Sequence, residues 1–135
     1  MRNSFLLDGN VLIYVLDARP LVVALLHHLA ELEEEERPAI SAVTMYEVLT
    51  GATDAEQERT MALLQAFEVL PVTDVVAARA AVIAQWQRAK GQKSAVADTF
   101  IAATALLHSR TLVTYDRRHF TRLGVDIYAD LPDIV

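Results

Sequence analysis

The sequence predicts an α/β fold in which helices cover both faces of a central, mainly parallel sheet. Two observations carry that prediction. Short apolar runs of strand length alternate with longer segments of helical spacing, the order that builds parallel sheets through crossover connections. The joints hold capping and turn residues, while glycine and proline number only four each and no repeat or low-complexity tract interrupts the order. Helices on both faces make a three-layer α/β/α arrangement, because a parallel sheet must be covered on both sides.

Phe5 to Leu7 is a short apolar run that ends at Asp8-Gly9-Asn10, and Val11 to Leu16 continues with helix-compatible spacing. Pro20 suits a first helical position, where its missing N–H costs nothing, and opens a helix expected to reach about Glu35. Pro38 ends that stretch, and Ala39 to Ser41 reads as a strand. Ser41 or Thr44 caps the next helix, which runs toward Gly51 as its C-cap. Asp54 opens an amphipathic helix through Phe67, and Val69 to Val72 is strand-like. Thr73 or Asp74 caps a long helix to about Lys90, with Gly91 after it. An Ala-rich helix begins at Ser94 or Val96 and ends near His108. Thr111 to Thr114 forms a strand, Asp116 a turn before a short helix, and Asp126 to Tyr128 a last edge strand.

A chain of 135 residues has room for one compact domain, taken as 1–135, and not for two of ordinary size. With 53% hydrophobic and 22% charged residues it is not a disordered chain. The absence of cysteine excludes a disulfide scaffold and thiolate chemistry. The longest helix-like apolar stretch, Leu21 to Ala30, is interrupted by His27 and His28 and falls short of a membrane span. Asp8 breaks the apolar start too early for a signal peptide, so the expected location is cytoplasmic, with no membrane partner. The net charge of −6 is unevenly spread: from Arg79 to Arg122 eight basic residues face only Asp98 and Asp116. A locally positive surface around carboxylates suits a phosphate-bearing substrate; ordinary surface charge beside an acidic helix end at Glu31 to Glu36 is the plain alternative.

Four carboxylates stand at the ends of apolar runs: Asp8 in FLLDGNVLIYVL, Glu47 in ISAVTMYEVLTG, Asp98 in AVADTFIAATALL and Asp116 in TLVTYDRRHF. Burying a carboxylate unpaired costs several kcal/mol or neutralises it. Each has a structural reading: Asp8 as a helix cap, Glu47 as the partner of Thr44 in a capping box, Asp98 in the first turn of a helix, and Asp116 as an Asx-turn or cap. Together, beyond the carboxyl ends of parallel strands, they would make an oxygen-rich pocket for a hard divalent cation such as Mg²⁺. Arg117, Arg118 and Arg122 are candidates for phosphate contacts, with Lys90 and Lys93 further off. His119 could help hold a phosphate, whereas the adjacent His27 and His28 share no helix face. There is no zinc spacing, serine elbow or P-loop. The apolar helices at Leu21–Leu32 and Met61–Phe67 either pack the core or offer a groove to a partner helix.

The four segments, in that order and spacing, resemble the PIN-domain nucleases, and most of all the small bacterial VapC toxins of type II toxin–antitoxin pairs. The resemblance runs from Asp8 to Phe120 through LLDGNVLIY, SAVTMYEVLTG, DTFIAATAL and LVTYDRRHF. It implies a metal-dependent endoribonuclease with an acidic pocket for Mg²⁺ or Mn²⁺ built from Asp8, Glu47, Asp98 and Asp116, supported by Asn10 and Thr114. Asp8 and Asp98 would ligate the principal metal, with Asp116 a further ligand of it or of a second ion, and Glu47 would orient the attacking water or complete the second site. It also implies an RNA substrate, homodimers and a protein antitoxin that masks the pocket, with DNA reached only through the antitoxin. Two residues depart from the family pattern. Gly9 stands where threonine or serine is usual, and His119 stands where many members carry another acid. Two rival readings follow: an inactive PIN-like domain that binds RNA or protein, and an aspartate-phosphorylated domain using Asp8. The second lacks an Asp-x-Asp pair, since position 10 is Asn.

Overall fold

A computed structural model describes residues 4–33 and 37–134. Its order is β1 (Phe5–Leu7), α1 (Gly9–Leu16), α2 (Pro20–Leu32), β2 (Ala39–Ser41), α3 (Ala42–Gly51), α4 (Gln57–Leu64), β3 (Glu68–Leu70), α5 (Asp74–Ala89), α6 (Val96–Leu107), β4 (Thr111–Val113) and α7 (Arg117–Arg122). The four strands form one parallel sheet in the order β3-β2-β1-β4. Leu6 lies opposite Ala39 of β2 and Leu112 of β4, and Ile40 lies opposite Val69 of β3. The expected last strand at Asp126 to Tyr128 reduces to a single parallel bridge, Leu112 to Ile127.

The period of two along the strands sorts the core. Leu6, Ala39 and Leu112 face a cluster with Ile83, Ile101 and Phe120 from α5, α6 and α7. Phe5, Leu7, Ile40 and Val113 face the other way, against Val11, Val22, Leu25, Leu29, Val48 and Leu64. This is the expected three-layer arrangement. Fully burying each such side chain contributes about 1.5–3 kcal/mol. The apolar sides of α2 and α4 are therefore core, although Leu21 and Met61 remain exposed.

Several element ends differ from expectation, each for a local reason. Helix α1 begins at Gly9, with the Asp8 side chain accepting the Gly9 N–H. The α2 end expected near Glu35, and the acidic run Glu34 to Glu36, lie outside the described residues; α2 closes at Leu32. Ser41, not Thr44, caps α3, accepting the Val43 N–H. Gly51 is the last residue of α3, and the C-cap is Ala52 with extended backbone. The helix expected from Asp54 starts as a short 3₁₀ turn, closed by a capping box between Thr53 and Glu56, and ends at Leu64. Strand β3 ends at Leu70, two residues before Val72. Thr73 caps α5 as expected, and Gly91 takes the left-handed φ of +71° after its end.

The amino ends of all four strands meet at one side chain. Arg110, just before β4, donates from Nη1 to the Phe5 carbonyl at 2.9 Å, the Arg37 carbonyl at 3.2 Å and Glu33 Oε1 at 3.3 Å. Its Nη2 donates to Glu68 Oε2, also at 3.3 Å. Glu33 and Arg110 are buried, so Arg110 belongs to the interior and not to the positive surface inferred from the sequence.

Candidate active site

The opposite edge, at the carboxyl ends of the strands, gathers the acids. The chain runs β1, β2, β3 in one direction across the sheet and then places β4 on the far side of β1, so the switch point lies between β1 and β4. Crevices form at such points. Asp8 follows β1, Thr114 and Asp116 follow β4, and α3 leaves β2 carrying Glu47. Asp98 enters from the first turn of α6.

Asp8 is held from several sides. Its N–H donates to the Val113 carbonyl at 3.0 Å, which fixes the end of β1 against β4. Oδ1 accepts the Gly9 N–H at 2.8 Å, and Oδ2 accepts the Thr114 hydroxyl at 2.8 Å and, more weakly, Asn10 Nδ2 at 3.4 Å. Asn10 Nδ2 also donates to Thr114 Oγ1 at 3.2 Å, while Asn10 Oδ1 accepts the Tyr115 N–H at 3.2 Å. Thr114 Oγ1 in turn accepts the Asp116 N–H at 3.0 Å. One buried hydroxyl thus ties together Asp8, Asn10 and the turn that carries Asp116. Asp8 is both a helix cap and the anchor of this network.

The electrostatics tell the same story. Burial pushes the Asp8 carboxyl up, the Thr114 and Gly9 hydrogen bonds oppose it, and the charges of Asp98 and Asp116 push it further up. Burial also raises Glu47, followed by the charges of Asp8 and Asp98. Asp98 is raised by burial, held back by His119 and pushed by Asp116. Like charges brought together in a partly desolvated crevice resist ionisation. The capping box expected between Thr44 and Glu47 is absent: α3 starts earlier, so Thr44 is buried within the helix and Glu47 stands beyond its first turn, near Asp8.

The sequence offered His119 as a phosphate contact; the structure turns it toward Asp98, with Nε2 3.1 Å from Asp98 Oδ2. Nothing local signals the pairing, because the two residues come from different helices, α6 and α7. Arg117 Nη1 reaches the Ala129 carbonyl at 3.3 Å, so it is partly engaged; Arg118 and Arg122 lie on the same short helix. Lys90 sits over the Trp86 ring, on α5.

The donor set is all hard oxygen at Asp8, Glu47, Asp98 and Asp116, and mutual repulsion among these acids is the feature a divalent cation relieves. The residues present fit such an ion by chemistry. As they stand, no three acidic or histidine side chains among the described residues are grouped closely enough to hold one ion. Glu47 and Asp116 are exposed.

A parallel α/β sheet with carboxylates near its switch point defines an α/β class of protein whose ligand crevice is acidic. Comparison narrows it. The PIN domain family matches residues 5–125. Ribonuclease VapC10 of Mycobacterium tuberculosis is 34% identical over 115 residues, covering 85% of this chain and 84% of the relative. Among solved structures, FitAB bound to a DNA fragment is similar with a TM-score of 0.77 and 32% identity, covering 92% of this chain and 93% of that one. A toxin–antitoxin complex from Klebsiella pneumoniae gives a TM-score of 0.71 and 29% identity, covering 87% and 90%. The chain belongs to the PIN-domain family and, within it, to the VapC group.

Proposed function

We propose that this protein is a metal-dependent endoribonuclease acting as the toxin of a toxin–antitoxin pair in the cytoplasm. The observation that carries the proposal is the crevice in which the charges of Asp98 and Asp116 bear on a partly buried, hydrogen-bonded Asp8. The ribonuclease name of the relative and the toxin–antitoxin complexes among similar structures support it. No helix among the described residues is long and apolar enough to cross a membrane.

Asp8, Asp98 and Asp116 would hold Mg²⁺ or Mn²⁺. When bound, the cation supplies Lewis-acid polarisation of the phosphodiester and makes water a usable nucleophile near neutral pH. Thr114 and Asn10 fix the Asp8 carboxylate by hydrogen bonds to Oδ2. Glu47, exposed beside Asp8 and with its affinity for protons raised, orients the attacking water and takes its proton. Arg118 and Arg122, with Arg117, hold RNA phosphates and position the strand without reading its bases. Homodimers and an antitoxin that covers the crevice complete the reading.

Purified protein is incubated with transfer and ribosomal RNAs in Mg²⁺, Mn²⁺ or EDTA, alongside Asp8→Asn prepared identically. Discrete cuts that need the cation and vanish in the variant are expected. RNA binding without any cutting would move the protein to an inactive binding domain, and cutting retained in Asp8→Asn would refute the assignment.

A further inference from the structure

We infer that His119 is a ligand of the same cation, so that the pocket is a mixed nitrogen–oxygen site suited to a first-row transition ion such as Mn²⁺ over Mg²⁺. The inference rests on the metal-dependent reading above. Three features of the contact between His119 and Asp98 carry it. First, its length: a charged N–H···O bond is usually about 2.7–2.9 Å, whereas Nε2 and Oδ2 are 3.1 Å apart. Second, its direction: Nε2 is shielded from solvent and is not aligned for a hydrogen bond, although it lies close enough to Asp98 to lower that carboxyl's affinity for protons. A buried ring nitrogen without a hydrogen-bond partner is costly. Third, neighbouring ligands of an octahedral ion with bonds of about 2.1 Å stand about 3 Å apart. The pair already has the spacing of two ligands of one ion.

The surroundings agree. The His119 and Asp98 side chains keep 24% and 28% exposure, which leaves a solvent side from which an ion enters. The His119 ring is braced edge-on by Phe120, a core residue, at 5.3 Å between centroids. That bracing fixes the nitrogen by packing rather than by a hydrogen bond. An imidazole donor favours later divalent metals, while Mg²⁺ prefers oxygen donors alone. His119 would also leave the pocket one negative charge poorer than an acid at that position.

The test is pulsed EPR of Mn²⁺ bound to the whole protein, beside His119→Asp and His119→Gln. The expected result is a ¹⁴N imidazole coupling in the wild type that disappears in both variants while Mn²⁺ still binds. Competition titration should show the preference for Mn²⁺ over Mg²⁺ falling about tenfold in His119→Asp. The wild-type spectrum keeps the test decisive should a variant fold poorly. Bound Mn²⁺ without nitrogen coupling overturns the inference and leaves the nuclease proposal standing. Coupling that survives in both variants assigns the nitrogen to one of the other histidines and also overturns it. Absence of any Mn²⁺ or Mg²⁺ binding by calorimetry overturns both readings.

Discussion

Thr114→Val tests whether the buried hydroxyl organises the pocket. The side chain is fully buried and valine has nearly its shape, so the change removes hydrogen bonds and little else. The wild-type hydroxyl donates to Asp8 Oδ2 and accepts from Asn10 Nδ2 and the Asp116 N–H. A bond to a charged acceptor contributes about 1.5–3 kcal/mol and a neutral one about 1 kcal/mol. Water reaches the turn at exposed Asp116, so roughly half of the two neutral bonds is recovered. The net destabilisation is about 3 kcal/mol, or a melting temperature lower by about 10 °C for a chain of this size. Its pH dependence follows from the same bond. Thr114 stabilises the ionised Asp8, so the variant raises that carboxyl further; the penalty is largest at pH 7–8 and shrinks as Asp8 protonates. Urea unfolding in EDTA at pH 7.5 and pH 5 measures both effects. A loss below about 0.5 kcal/mol, or one independent of pH, would refute the argument; Thr114→Ser should keep the hydroxyl network at the cost of one buried methyl.

Four further outcomes are expected. Arg110→Met leaves buried Glu33 without its guanidinium and should lower stability by about 3–5 kcal/mol, read by urea unfolding. In EDTA, Asp8, Asp98 and Glu47 bind protons more tightly folded than at their ordinary values of 3.8, 3.8 and 4.5. Their contribution is present below those values and lost as pH rises through the raised ones. Wild type should therefore gain stability relative to Asp8→Asn between pH 7.5 and pH 5, and saturating cation should abolish the gain; parallel pH curves would count against it. Gly9→Ala should be tolerated and stabilise α1 by up to about 1 kcal/mol, since a Cβ there meets only Val48 Cγ2 at 3.5 Å and Thr44 Cγ2 at 3.9 Å. Arg118→Gln should weaken RNA binding and reduce the salt slope by about 0.7, measured by fluorescence anisotropy; an unchanged slope would remove Arg118 from the phosphate track.

What could be read from the sequence was what local chemistry determines. Pro20, Ser41 and Thr73 announce helix starts because their effect is confined to one turn. The alternation of Phe5, Leu6 and Leu7 between two core clusters follows from the strand period. The same local logic misled at Thr44 and Glu47, where the spacing of a capping box was present but Ser41 had already closed the helix. The capping box that does form, at Thr53 and Glu56, lay beside an equally reasonable start at Asp54. Arg110 with Glu33 and Glu68, and His119 with Asp98, were illegible for another reason. Each pairs groups far apart in the chain, and only the sheet order brings them together.

That sheet order gives the two ends of the same four strands opposite electrostatic tasks. At the amino ends a single guanidinium joins two carboxylates and two carbonyls. At the carboxyl ends burial and neighbouring acidic charges raise the proton affinity of Asp8, Glu47 and Asp98, opposed by the Thr114 and Gly9 bonds at Asp8 and by His119 at Asp98. A fold selected for stability alone would pair both ends. The unpaired end is tolerable because the paired end and the two apolar layers hold β1 and β4 in register beneath it. On the proposed reading, a cation arriving at the crevice would meet repulsion already built in, and part of its binding free energy would come from relieving it. It follows that stability in EDTA and cation affinity should move in opposite directions across Asp8→Asn, Asp98→Asn and Asp116→Asn. Variants that lose both together would mean that these acids act as structural caps and not as a cation site.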